Sequence, residues 1–109
     1  MAYDEGVAQR IREAMQEYSG VSERKMFGGV AFMIHGNMCA GVVREDLMLR
    51  VGPGNYQQLL SLPHAREMDF TGKPMKGFIY VAPDGLSFDR SLKEWLAAAH
   101  SFVSSLAPK

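Results

Sequence analysis

One cysteine, Cys39, leaves no route to an internal disulfide, and neither sign of charge is in excess: twelve basic side chains balance twelve acidic ones. Proteins that grip a phosphate backbone usually show a basic surplus or a basic stripe. Here the longest basic cluster is Arg24-Lys25, with Glu23 beside it, so composition argues against direct nucleic-acid binding. No apolar run approaches the ~20 residues that a membrane span needs. Tyr3 to Glu17 carries charges throughout, unlike a secretory leader. The expectation is a cytoplasmic chain with no membrane attachment.

Chemical motifs are scarce as well. His35, His64, His100 and Cys39 show no paired ligand spacing of the C-x-x-C or H-x₃-H kind. Gly52-Pro53-Gly54-Asn55 stands ahead of a helical stretch, but it lacks the lysine and the glycine spacing of a phosphate loop. It reads as a strand-to-helix turn, and no metal or cofactor is expected. Cys39 is the sole thiol, and a free cysteine is among the most buried residue types. We expect it to be inert, and no catalytic constellation emerges.

What is present is a globular composition, 47% apolar and 22% charged over 109 residues, enough for one domain over 1–109 with a real core. Its centre is Met26–Val51, three short apolar runs split by polar turns. Gly36-Asn37 suits a two-residue hairpin turn with glycine first, which pairs Ile34 with Cys39 and Phe32 with Gly41. Period-two alternation then puts Val30, Phe32, Ile34, Cys39, Gly41 and Val43 on one face. A three-residue loop at Arg44-Glu45-Asp46 brings Leu47, Leu49 and Val51 to it. The opposite face carries Ala31, Met33, His35, Met38, Ala40, Val42, Met48 and Arg50. A sheet with one wet side should alternate apolar and polar, and this one barely does. Met33, Met38, Met48 and Arg50 are therefore the candidate interface, for a protein partner or a second copy of the chain. Met33 and Met48 are expected to lie open there.

Around this centre, Tyr3, Val7, Ile11, Ala14, Met15 and Tyr18 recur at helical spacing, predicting a helix over 4–18 capped by Asp4 and stopped at Gly20. Gly28-Gly29 marks a bulge or a close backbone approach. Asn55 caps a short helix, Tyr56–Leu62, ended by Pro63. Arg66–Phe70 and Met75–Val81 form a second hairpin around Thr71-Gly72-Lys73-Pro74, with Gly72 at a positive φ. Leu92, Trp95, Leu96, Ala99, Phe102, Val103 and Leu106 form the stripe of a last helix capped by Asp89. Trp95 is expected over Phe32, Gly41 and Leu49, filling the space at the glycine. The predicted class is a two-layer α+β domain with an antiparallel sheet, in the order α-β-β-β-α-β-β-α.

Within 64–80, Phe78 and Tyr80 alternate with Ile79 near Lys73 and Lys76, a pattern that suits base stacking. The simpler expectation is that both rings pack beneath a helix. Arg66, Asp69, Lys73 and Lys76 are the candidate functional surface, to be judged by whether they converge.

The stretch His64–Val81, with its Met-Asp-Phe-Thr-Gly-Lys-Pro-Met-Lys-Gly run, resembles the signature of the N-terminal domain of the TfoX/Sxy competence regulators. Phe27-Gly28-Gly29-Val30, Gly36-Asn37-Met38 and Leu49-Arg50-Val51-Gly52 are similar to its earlier segments. The resemblance implies a two-layer α+β fold like that of secretion chaperones, and a role in switching on competence genes. In two-domain relatives a helical domain follows, and it is expected to be absent here. The functional expectation is thus a non-enzymatic regulatory domain acting through protein contacts. The alternative is a nucleic-acid-associated or small catalytic domain using the 64–80 region.

Overall fold

The alternating apolar runs build the middle of an open sheet. The computed structural model describes residues 3–26, 28–69 and 74–108. The elements run α1 (Glu5–Ala14), β1 (Val21–Met26), β2 (Gly29–Ile34), β3 (Asn37–Val43), β4 (Asp46–Arg50), α2 (Tyr56–Leu60), β5 (Ala65–Asp69), β6 (Pro74–Val81), a 3₁₀ turn (Pro83–Leu86) and α3 (Asp89–Val103). The six strands lie in the order β1-β2-β3-β4-β6-β5, each neighbouring pair antiparallel. The α+β expectation holds, with one strand more before α2 than the pattern predicts. That strand is β1, whose Ser22, Glu23, Arg24 and Lys25 are exposed. Charge on an edge strand discourages pairing with another chain, and it also erases the apolar period by which a strand is read.

The register departs from expectation in an instructive way. The β2–β3 turn is His35-Gly36, with φ of 48° and 85°, the double positive φ of a type I′ turn. Ile34 therefore pairs with Asn37. This shift of two residues preserves which side chains share a face. A bulge then reverses them: Met33 faces Met38 while Phe32 faces Ala40, so Cys39 is an extra residue in β3. One inserted residue flips all that follow. Ala40 and Val42 consequently join the core, and Gly41 goes to the other face. The β3–β4 loop is tighter than predicted, with Val43 opposite Asp46.

Two rows show the result. Phe32, Ala40, Leu49 and Ile79 cross the sheet on the inner side, and Val30, Val42, Leu47 and Val81 lie beside them. These pack with Ala8, Ile11 and Met15 near α1, Tyr56 of α2, Leu86, and Leu92, Leu96, Ala99 and Val103 of α3. All three helices thus serve one face. Gly29 allows the tight β2–β3 contact, since a Cβ there would sit 1.9 Å from the Val42 carbonyl oxygen.

On the outer side, Arg24, Ala31, Gly41, Met48, Tyr80 and Arg66 form one row. The open patch expected there is closed in the single chain. Met48 is 1% exposed and Met33 9%, while Met38 and Arg50 are half-buried. The Met48 Cε lies 3.0 Å from where a Gly41 Cβ would stand. A methionine, not Trp95, fills that space, because the bulge has carried Gly41 to the outside.

Helix ends depart from expectation in smaller ways. Asp4 caps α1 as expected, its carboxylate accepting from the Gly6 and Val7 N–H groups. The helix stops at Ala14, four residues early, and tighter turns carry Tyr18 to stack on His100 at 3.8 Å. Asn55 makes no side-chain cap on α2. Asp89 lies inside the first turn of α3, and the cap position belongs to Phe88. Buried Asn37 donates from Nδ2 to the Ala107 carbonyl oxygen at 2.9 Å, tying the segment after α3 to the hairpin turn. Among the described residues no helix is long and apolar enough to cross a membrane.

Candidate functional site

Where α2, the 3₁₀ turn and the start of α3 meet, the inner layer ends in an open groove of about 570 Å³. Each wall has a local cause. Helix α2 ends at Leu60 and the chain runs out through Leu62 and Pro63, whose ring and missing N–H prevent a further turn. His64 then takes a φ of 73°, sparsely populated for a side-chain-bearing residue. That conformation lets its carbonyl accept from the Ala82 N–H at 2.9 Å and sets its Cβ against Gly85. After β6 the 3₁₀ turn buries Leu86, and the chain passes extended through Phe88 into α3.

The groove floor is Leu59, Trp95 and Ala98, with Leu62 and Phe88 standing at its mouth. Phe88 is 73% exposed and Leu62 43%, and they are the exposed large hydrophobic side chains among the described residues. Both line the same groove. Its charged lining is acidic, Asp84 and Glu94, and His64 lines it too, set against Gly85. Trp95 sits here half-buried at the margin of the core, not above Phe32 and Gly41 as the stripe predicts.

Of the 64–80 candidates, Arg66 and Lys76 are the ones whose side chains are described, and they stand at different points of the β5–β6 hairpin. Arg66 forms an ion pair with Asp46 and lies over the Tyr80 ring at 5.0 Å. The Asp46 hydrogen bond raises the pKa of the Arg66 guanidinium further. Lys76 is exposed and four positions along β6 from Tyr80. Asp69 pairs with Pro74 at the far end of the hairpin. Lys73, like Gly72, lies outside the described residues, as does the Asp69 side chain. Tyr80 belongs to the outer row and not beneath a helix. Arg50, a candidate interface residue, is held 5.9 Å from the Phe78 ring and 5.7 Å from the Phe102 ring.

Cys39 is fully buried, and burial pushes its thiol up to about 12. A nucleophilic cysteine needs the opposite shift. Among the described residues no three His, Cys, Asp or Glu side chains are placed to hold a metal ion. What the groove does present is apolar contact surface, with Phe88 and Leu62 exposed. The groove is not legible in the sequence, because Phe88 lies outside the α3 stripe and the pattern carries the short helix through Leu62. The available signal was a large aromatic at a helix cap, where Ser, Thr, Asp or Asn would stabilise the helix.

A family model described as the TfoX N-terminal domain matches residues 13–103. Comparison with curated proteins gave no match, and neither did comparison with solved structures. The matched region takes in the sheet, α2 and α3, and so contains both walls of the groove. The family is one of competence-related regulatory domains and is not a known catalytic one. With most of its length inside that match, the chain belongs to the TfoX N-terminal domain family.

Proposed function

We propose that this domain is a non-enzymatic regulatory module that works in the cytoplasm by holding a protein partner. The observation that carries the reading is the convergence of exposed Phe88 and Leu62 on one groove beside Trp95. Scattered exposed apolar side chains are ordinary, whereas a contiguous patch marks a contact site. Phe88 strengthens the point. It occupies the cap of α3 without capping it, and a Ser or Asp there would add about 1 kcal/mol of helix stability. A residue that serves the fold poorly and stands in solvent is accounted for by what it touches in a complex. Family membership supplies the regulatory part of the reading.

The test is affinity purification of the tagged chain from its native host after nuclease treatment, followed by mass spectrometry. A protein recovered in near-equal amount is the expected result. Recovery of nucleic acid in untreated samples, with no protein in either, would overturn the reading.

A further inference from the structure

We infer that the groove takes an amphipathic, basic segment of a partner protein: large apolar side chains set on Leu59, Leu62, Phe88 and Trp95, flanked by lysine or arginine. This rests on the protein-contact reading above and adds the chemistry of the partner.

A small-molecule site hides most of its ligand from water. Here the side chains at the mouth are themselves 73% and 43% exposed, so an occupant must bring its own bulk to cover them. Such a cover comes from an extended surface, as when an amphipathic helix lays its apolar face into a groove. Ala98 follows Trp95 by three positions and Ser91 precedes it by four on the same wall. This helical spacing places Ser91, Trp95 and Ala98 along one side of α3, facing the groove.

Charge selects the occupant. The rim carries the carboxylates of Asp84 and Glu94 and no lysine or arginine. Two copies meeting across this groove would bring both pairs of carboxylates together, with no lysine or arginine of the lining to offset them. Like charges face to face oppose that arrangement. Nucleic acid is disfavoured by the same two groups, since its phosphates are anionic. A cationic flank is complementary.

Trp95 is the chain's single tryptophan, so its fluorescence reports directly on the groove. The probes are a synthetic amphipathic Leu–Lys peptide and a Leu–Glu peptide of the same length and pattern. The Leu–Lys peptide should shift Trp95 emission to the blue, saturably, and bind about tenfold or more tightly than its acidic counterpart, a difference of about 1.4 kcal/mol. Phe88→Ala should weaken it about tenfold. Asp84→Lys with Glu94→Lys should reverse the order of the two peptides while the circular dichroism spectrum stays unchanged. Equal response to both peptides, no response to either, or tight Leu–Lys binding that survives Phe88→Ala would each overturn the proposal. If the native partner is still captured by wild-type protein while the peptides fail, the groove assignment falls and the protein-contact reading stands. If no partner is captured either, both fall.

Discussion

The domain has two apolar regions outside its main core, and they behave in opposite ways. On the outer sheet face, Met33, Ala31 and Met48 look unpartnered in sequence, yet all three are buried. At the α2–α3 end, Leu62 and Phe88 attract no notice in sequence, yet they stand in water. Strand alternation tells which side chains share a face, but it is silent on what a flexible side chain folds across. Met48 lies over the bare backbone of Gly41, a route open to methionine because it is unbranched and adaptable. Phe88 has no such choice. The extended backbone at the α3 cap aims it away from the stripe that Leu92 and Leu96 bury.

The comparison is sharpest in paired truncations. Met48→Ala should cost about 2–5 kcal/mol, the range for emptying a packed methionine site. Phe88→Ala should change stability by no more than about 0.5 kcal/mol. Chemical denaturation of the two variants checks both values, and similar losses would erase the distinction drawn here. A dimer formed through Met33 and Met48 makes a different prediction: Met48→Glu would yield a folded monomer. With Met48 buried in the single chain, unfolding is expected instead.

Next in size is Gly29→Ala, because the new Cβ would stand 1.9 Å from a backbone oxygen that no rotamer change can move. Overpacking of this kind costs about 1–3 kcal/mol, read as a lowered melting temperature. An unchanged value would mean that β2 and β3 are further apart than described.

Much of this fold is legible in the sequence, and the losses have specific causes. The α3 stripe, the Asp4 cap and the second hairpin follow from period and punctuation. The sequence pattern misplaces Ala40, Gly41, Val42 and Val43, because the bulge at Cys39 leaves no trace in an unbroken apolar run. β1 was missed because Glu23, Arg24 and Lys25 make it polar. The groove was invisible for another reason: Leu62 and Trp95 lie 33 positions apart in the chain and meet only through the packing of α2 and α3 on one sheet face.

Cys39 separates core from surface by chemistry. Its thiol is pushed from about 9 up to about 12 by burial. The folded state therefore favours the neutral thiol, so this contribution is full below the unfolded value and is lost as pH rises towards the folded one. At about pH 8 an aromatic disulfide reagent should leave the native protein untouched and modify it only in denaturant. Fast native-state reaction would show that β3 is open.

The smallest effect belongs to the Arg12–Glu23 pair, which links α1 to the edge strand. Arg12 donates to the Glu23 carboxylate and holds its pKa below the usual range. The stabilisation is present above the ordinary carboxylate value and is lost as pH falls through the lowered one. Both side chains are partly exposed, so Glu23→Gln should cost only about 0.2–1 kcal/mol at neutral pH. That difference should vanish in acid and shrink in high salt.

The central claim is that Phe88 is spared from the core in order to hold a partner. Its most direct measurement is the recovery of the native-host partner by wild-type protein and by Phe88→Ala, with melting temperatures compared alongside. The account predicts that the variant melts with the wild type and loses the partner. Equal recovery by both proteins would contradict it.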